Sequence, residues 1–301
     1  MKLAIGIDLG GTNVKASLVD CALGCSISTR TSLTLDGEFC GSTPRFAHTV
    51  RELIANFEAE AGQGGLPVGL SAPGLADRSG RWIEWMPGRM HGLEKFDWTA
   101  FLEREAKVLN DAHAALLGEA WLGAAKNADD AVMVTLGTGV GGAVMSGGRL
   151  LHGAIGRAGH LGHMSIDANG ERDLFNTPGS LEAAIGNQTV VRRSKGKFQT
   201  THALVAAVLQ GDRLAADLWE KSLRPLAAAV ASLINILDPE VIVVGGGIAT
   251  GAGSALLDPL QTWLDHFEWR PGGHAARLAP AILGDSAGAL GAVYNLLLNS
   301  K

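Results

Sequence analysis

The sequence predicts an α/β fold built twice, with a cleft between the halves, and three observations carry that reading. Leu3, Ile5, Ile7 and Leu9 alternate on one face of a strand, Gly10-Gly11 turns the chain, and Val14, Ala16 and Leu18 return it to Asp20. This is the pattern of a hairpin with a polar tip. The design recurs, because Ala131-Val132-Met133-Val134-Thr135-Leu136-Gly137-Thr138-Gly139 aligns with Ala4-Ile5-Gly6-Ile7-Asp8-Leu9-Gly10-Gly11-Thr12, and Gly142 to Met145 forms the returning strand. Helical stretches lie between the two hairpins. The spacing is far too long for a solenoid repeat and reads as a duplicated domain.

The elements follow in order. Apolar periodicity predicts a helix from about Phe46 to Ala61, then a strand at Val68-Gly69-Leu70-Ser71 and a loop at Ala72-Pro73-Gly74. A short helix over Ala100–Glu105 leads into a strand ending at Leu109. Asn110-Asp111 can cap a helix over Ala112–Leu122, since both side chains accept backbone N–H groups. Further helices fit Leu181–Ile185, His202–Gln210 and Arg213–Leu237. Val241–Val244 is a buried strand running into Gly245-Gly246-Gly247, and Gly284-Asp285 opens a helix over Ser286–Leu298.

Composition bounds the function. The chain has 301 residues, 47% hydrophobic and 18% charged, with a net charge of −5. Such a chain can bury a large core and is not disordered. Its 41 glycines show no collagen period. The acidic balance gives no reason to expect a nucleic-acid partner. The basic run Arg192, Arg193, Lys195 and Lys197 reads first as a solvated loop. The longest apolar tract, Leu226 to Gly247, is broken by Asp238, Pro239 and Glu240, so no membrane span is expected. Three cysteines, Cys21, Cys25 and Cys40, make an odd count with no zinc-knuckle spacing. With no signal-peptide pattern, they point to a reducing, cytoplasmic setting.

Four constellations carry chemistry. In Asp8-Leu9-Gly10-Gly11-Thr12-Asn13, glycines at a strand-to-strand turn let backbone N–H groups approach an anion. A carboxylate at the strand end can hold Mg²⁺, directly or through water. The spacing is neither a Walker loop nor a dinucleotide fingerprint. Gly137-Thr138-Gly139-Val140-Gly141-Gly142 offers a hydroxyl and N–H groups to a terminal phosphate. Gly245-Gly246-Gly247 lets a base or phosphate lie against backbone. Asn110-Asp111 pairs a carboxylate able to take a hydroxyl proton with an amide able to orient the alcohol, or simply caps a helix.

These motifs, with Gly159-His160-Leu161-Gly162-His163, Asp238-Pro239-Glu240 and Asp285-Ser286-Ala287-Gly288, together resemble the ROK family of sugar kinases and sugar-responsive repressors from residue 4 to about 292. The resemblance implies an actin-like ATPase fold, related to ribonuclease H. Residues 1–111 and 285–301 would form a small lobe and 112–284 a large one, closing on ATP and a hexose. It implies Asp111 as catalytic base. Asn110, Ser71, His160, His163 and Glu182 would stand at the sugar. Gly10, Gly11, Thr12, Asn13, Thr138 and Gly139 would stand at the phosphates, Asp8 near Mg²⁺, and Gly245, Gly246 and Gly247 at the nucleotide. A homodimer is expected on the same ground.

The departures matter. The family's Ala-Gly-Glu becomes Ala158-Gly159-His160, so an imidazole with one acceptor when neutral replaces a carboxylate. The family's three zinc cysteines after His163 fall on Asp173, Phe175 and Ser180, so no structural zinc is expected. A metal held by His160, His163 and Asp173 is the lesser alternative. His91 can edge the sugar site, while Trp82, Trp85 and Trp98 read as core more readily than as sugar platforms. The function implied is ATP-dependent phosphorylation of a hydroxyl, the primary 6-OH, of a hexose or N-acylhexosamine. The rivals are a sugar-binding sensor without turnover and a polyphosphate-dependent glucokinase served by the basic run. A repressor is disfavoured, since the hairpin begins at residue 3.

Overall fold

The structure is a computed structural model that describes residues 2–299. It divides into two compact units. Of the described residues, the first comprises 2–127, 152–158 and 285–299, and the second 128–151 and 159–284.

In the first unit, β1 (Leu3–Leu9), β2 (Asn13–Asp20) and β3 (Cys25–Leu33) form an antiparallel meander. Small pairs follow at β4 (Phe39–Cys40) with β5 (Thr43–Pro44), and at β7 (Leu75–Ala76) with β8 (Ile83–Trp85). Helix α1 (Arg45–Ala61) buries Phe46, Val50, Leu53, Ile54 and Phe57 and ends on Gly62 in the left-handed conformation. Strand β6 (Val68–Ala72) and strand β9 (Ala106–Asn110) add in parallel, giving a five-stranded sheet of order β3-β2-β1-β6-β9. Helix α2 (Trp98–Leu102) starts ahead of the expected Ala100, because Asp97 caps it by accepting the Ala100 N–H at 3.0 Å. Helix α3 (Asp111–Leu122) follows β9 without a loop.

The second unit repeats the plan. Strands β10 (Ala131–Leu136), β11 (Val140–Ser146) and β12 (Arg149–Leu150) form the meander, and β13 (Val241–Gly245) and β14 (Arg277–Pro280) add in parallel. Its order, β12-β11-β10-β13-β14, is that of the first sheet strand for strand. Between β12 and β13 lie α4 (Leu181–Ile185), α5 (Val190–Arg193), α6 (Thr201–Leu209) and the long α7 (Arg213–Leu237). Helix α7 starts on Asp212, which accepts the Ala215 N–H, and lays Trp219, Leu223, Leu226, Val230 and Ile234 on the core. Helices α8 (Gly247–Ala252) and α9 (Ser254–Phe267) were not foreseen. Pro259 inside α9 argues against a helix on propensity, but Leu256, Leu260 and Leu264 are buried at helical spacing and decide the matter. Each unit has its own apolar core.

The chain returns to the first unit with α10 (Ala287–Asn299), which packs on β1, β6 and α3 at backbone distance. A Cβ on Gly6 would lie 2.2 Å from the Ala289 carbonyl oxygen, and one on Gly69 would lie 2.3 Å from that of Ala292. On the helix, a Cβ at Gly291 would lie 1.6 Å from the Ala114 oxygen of α3. The glycines remove side chains so that dispersion contacts form between main chains. Among the described residues, no helix is long and apolar enough to cross a membrane.

Replacing Gly291 by Ala must push α3 and α10 apart. We expect a loss of about 2 kcal/mol or more in urea unfolding. Gly64→Ala, where a Cβ meets nothing within 4 Å, should shift stability by no more than about 0.5 kcal/mol.

Candidate active site

Each glycine turn is closed by a backbone hydrogen bond, across four residues in the first and three in the second. Gly10 N–H donates to Asn13 O at 3.0 Å, closing the first, and Gly137 N–H donates to Gly139 O at 3.0 Å, closing the second. In each, a neighbouring segment takes the carbonyls. The Thr34 hydroxyl donates to Gly10 O at 2.6 Å and the Thr34 N–H to Thr12 O at 2.9 Å. In the second unit, Asn187 N–H donates to Gly137 O at 3.0 Å and Gln188 N–H to Thr138 O at 2.9 Å. With the carbonyls tied back, the N–H groups of Gly11, Thr12, Thr138 and Gly139 have no acceptor among the described residues. Thr12 and Thr138 are exposed. Unpaired N–H donors beside a hydroxyl suit a phosphate. Thr34 and the 187–188 segment were not singled out from sequence, because their partners are distant in the chain.

Gly246 stands at φ +89°, and a Cβ there would lie 2.4 Å from the Leu136 oxygen, so a residue with a side chain cannot replace it. Gly246 and Gly247 are exposed, whereas Gly245 is buried within β13. Gly245 therefore supports the turn from behind and does not line it. The His202 ring lies 3.2 Å from Gly247 O through Nε2.

Carboxylates gather in the first unit. Ser71 is fully buried, and its hydroxyl donates to Asp8 Oδ1 at 2.8 Å. Expected at the sugar, Ser71 is instead a partner of Asp8. Desolvation pushes the Asp8 pKa up to about 6. The Ser71 bond opposes this, the charge of Asp111 adds to it, Lys15 opposes it and Asp285 adds to it. Lys15, missed in the sequence, faces Asp8 across the β1–β2 register and pairs with Asp285 at 2.7 Å.

Asp111 opens α3. It keeps an exposed surface, yet enough protein surrounds it that desolvation raises its pKa, against the Ala112 N–H, the Arg89 charge and Asn110, which lower it. Asn110 is buried, and its Oδ1 accepts the Ala112 and His113 N–H groups while Nδ2 donates to Gly74 O at 3.0 Å. Its side chain is spent on capping, so the cap reading accounts for Asn110 better than the ligand reading does.

In the second unit, His160 is partly buried, and burial first, then the charge of His163, lowers its pKa. It stands neutral at pH 7, with one acceptor nitrogen. His163 is exposed, with the Phe175 ring edge-on at 5.0 Å. Phe175 thus lies against the histidine at a position where the resembling family carries a thiolate. Asp173 accepts the Phe175 and Thr177 N–H groups, both at 2.9 Å, and serves as a turn cap. No group of three or more potential metal ligands occurs among the described residues. Glu182 Oε2 accepts the Val140 N–H at 3.0 Å, which places the carboxylate against the second glycine turn.

The basic run is not a free loop. Arg192 pairs with Glu171 at 2.8 Å and Lys197 with Asp212 at 2.9 Å. Arg193 is partly buried, donating to Ser222 Oγ at 2.5 Å and to the Ile185 and Gly186 oxygens at 3.2 Å each, and burial lowers its pKa to about 10. Trp98 is fully buried against Phe96, 4.9 Å between ring centroids, and belongs to the core. His91 is exposed beside Asp36.

Paired five-stranded sheets of one order, each presenting an N–H-bearing turn, define a protein of actin-like ATPase fold. More particularly, the chain belongs to the ROK family, whose sequence model matches residues 4–298. It is 35% identical over 283 residues to a glucokinase of Thermotoga maritima, 85% of each chain being covered. It is similar to the crystal structure of a ROK hexokinase from Thermus thermophilus, with TM-score 0.86, 32% identity, and 99% of this chain and 100% of the other covered. It is also similar to a ROK family glucokinase from Streptomyces griseus in complex with glucose and AMPPNP, with TM-score 0.77, 28% identity and 98% of both chains covered.

The raised pKa of Asp8 makes its ionisation a cost to folding. The contribution of Asp8 to stability is greatest while it is protonated and falls as pH rises from about 4 through 6. Asp8→Asn, which keeps an acceptor for Ser71, should therefore be more stable than the parent at pH 7.5, by on the order of 1 to 3 kcal/mol. The difference should vanish by about pH 4. Thermal melts across pH read this directly.

Proposed function

We propose that the protein is a sugar kinase that transfers the terminal phosphoryl group of ATP to a hydroxyl, the primary 6-OH, of a hexose or N-acylhexosamine. The observation that carries it is the pair of glycine turns with unpaired N–H groups in a chain that also opens a helix with a carboxylate of raised pKa.

The first unit supplies Asp111, which takes the proton of the attacking hydroxyl as the new oxygen–phosphorus bond forms. The bond from phosphorus to the bridging oxygen breaks, and ADP leaves with that electron pair. Proton removal is worth roughly 10²- to 10⁴-fold. Asn110 fixes the base by capping α3. The N–H groups of Gly11, Thr12, Thr138 and Gly139 hold the phosphates, and Gly246-Gly247 offers backbone to the nucleotide. Catalysis is then mostly positioning and charge stabilisation. Mg²⁺ would be held by Asp8 at the end of β1, directly or through water; when bound, it would neutralise phosphate charge. His160, His163 and Glu182 face the acceptor, and neutral His160 offers one acceptor where the family carries a carboxylate, which changes the hydroxyl pattern read. ATP is favoured over polyphosphate as donor, because Arg192, Arg193 and Lys197 are already engaged within the protein.

Coupled ADP release over a panel of hexoses and N-acetylhexosamines tests the reading. Sugar binding without turnover would mark a sensor instead. Asp111→Asn should lower kcat by at least about 100-fold while nucleotide affinity changes little; retained turnover removes the base. Since Asp111 must be ionised to act and its pKa is raised, the acid limb of kcat against pH should lie above the ordinary carboxylate range. His160→Glu should move the ratio of kcat/KM values among sugars toward glucose, and an unchanged ratio would take residue 160 out of recognition.

A further inference from the structure

The segment from Glu182 to Gln188 is fastened to the second glycine turn by three hydrogen bonds. Asn187 N–H donates to Gly137 O at 3.0 Å, Gln188 N–H donates to Thr138 O at 2.9 Å, and Val140 N–H donates to Glu182 Oε2 at 3.0 Å. A fourth bond closes the loop on itself, with Gln188 Nε2 donating to Glu182 Oε1. The contact leaves no room for another residue at the turn. A Cβ on Gly139 would lie 2.0 Å from Glu182 Oε2, and one on Gly186 would lie 3.1 Å from the Thr138 oxygen.

Glu182 is only partly buried, and its side chain turns about three bonds. A single hydrogen bond to Val140 would leave the carboxylate free to swing into solvent, with little net gain from that bond. The Gln188 amide holds the second oxygen and so fixes the plane of the carboxylate. The far side of the same strand is equally close, because a Cβ on Gly162 would lie 2.1 Å from the Val140 oxygen. Val140 therefore meets Glu182 through its N–H and the His160–His163 loop at its carbonyl.

We propose that Gln188 is a positioning residue. It holds the Glu182 carboxylate on the Val140 N–H, which keeps the neighbouring N–H groups of Thr138 and Gly139 aimed outward at the donor phosphate. Glu182 then serves the acceptor and donor sides of the unit at once, so sugar bound at Glu182 stiffens the phosphate turn. The catalytic meaning rests on the kinase reading; the hydrogen-bonded latch itself does not.

The test measures amide exchange at Val140 in the ligand-free, full-length protein, alongside steady-state kinetics with MgATP. Gln188→Leu removes the donor, and Gln188→Glu sets two carboxylates against each other. Both should speed Val140 exchange by roughly tenfold and raise the KM for ATP by a similar factor, with the melting temperature little changed. The double variant Glu182→Gln/Gln188→Glu exchanges donor and acceptor: the residue-182 carbonyl oxygen can accept from Val140, and its amide can donate to residue 188. Protection at Val140 should return to within about threefold of the parent, while sugar affinity stays weakened. Unchanged exchange in both single variants, or a double variant no better protected than Gln188→Glu, overturns the proposal. Absence of sugar-dependent ADP release in the parent would sink the kinase reading alone, because the exchange measurement judges the latch without turnover.

Discussion

Helix α10 approaches the main chains of β1, β6 and α3 closely at a few glycines, and the chemistry of the first unit follows from that approach. The contact is possible because Gly6, Gly69 and Gly291 lack Cβ atoms. It also sets the state of Asp8. A Cβ on Gly288 would lie 2.8 Å from the Asp8 carboxyl carbon and 3.0 Å from the Ser71 oxygen, so the helix covers both groups and strips water from the carboxylate. A pKa of about 6 is the result. The fold thus holds a carboxylate at a standing cost, the usual signature of a functional group placed by its surroundings.

The same economy governs the turns. No cationic side chain lies within either glycine tip; the donors are main-chain N–H groups, which cannot titrate or swing away. What orients them is the removal of their carbonyls, by Thr34 in one unit and by residues 187–188 in the other. Two unrelated segments solve one problem in the two halves, which fits a duplication whose sheets kept their order while the connections diverged. Phosphoryl transfer suits such a frame, since it asks the protein for alignment and charge stabilisation more than for covalent chemistry.

Much of this was legible in the sequence, for physical reasons. The hairpins were readable because period-two alternation stops at glycines. The helices at Arg213–Leu237 and Leu181–Ile185 matched residue for residue, because a caps-and-stripe pattern is local. Strand β3 was missed: Ser, Thr and Arg fill it and most of its residues face solvent, so pairing with β2 rather than burial makes it a strand. Site residues divided the same way. Asp8, Asp111 and the glycines announce themselves by local motif. Lys15, Thr34, Arg89 and Gln188 do not, because each gains its meaning from a partner that only the fold brings near. Ser71 and Asn110 lie at the site by position, but their polar atoms are used inside the protein.

On the proposed kinase reading, the acceptor side is where this chain departs most from what its family resemblance implies. An imidazole stands at residue 160 and the Phe175 ring lies against His163, where a carboxylate and a thiolate were expected, so the hydrogen-bonding pattern offered to a sugar changes. The most direct measurement is the phosphorus NMR spectrum of the product formed from MgATP and the best acceptor. A phosphomonoester coupled to the protons of the primary carbon, formed in equal amount with ADP, is the result expected. ATP left intact with every sugar, or inorganic phosphate as the only product, would contradict the account.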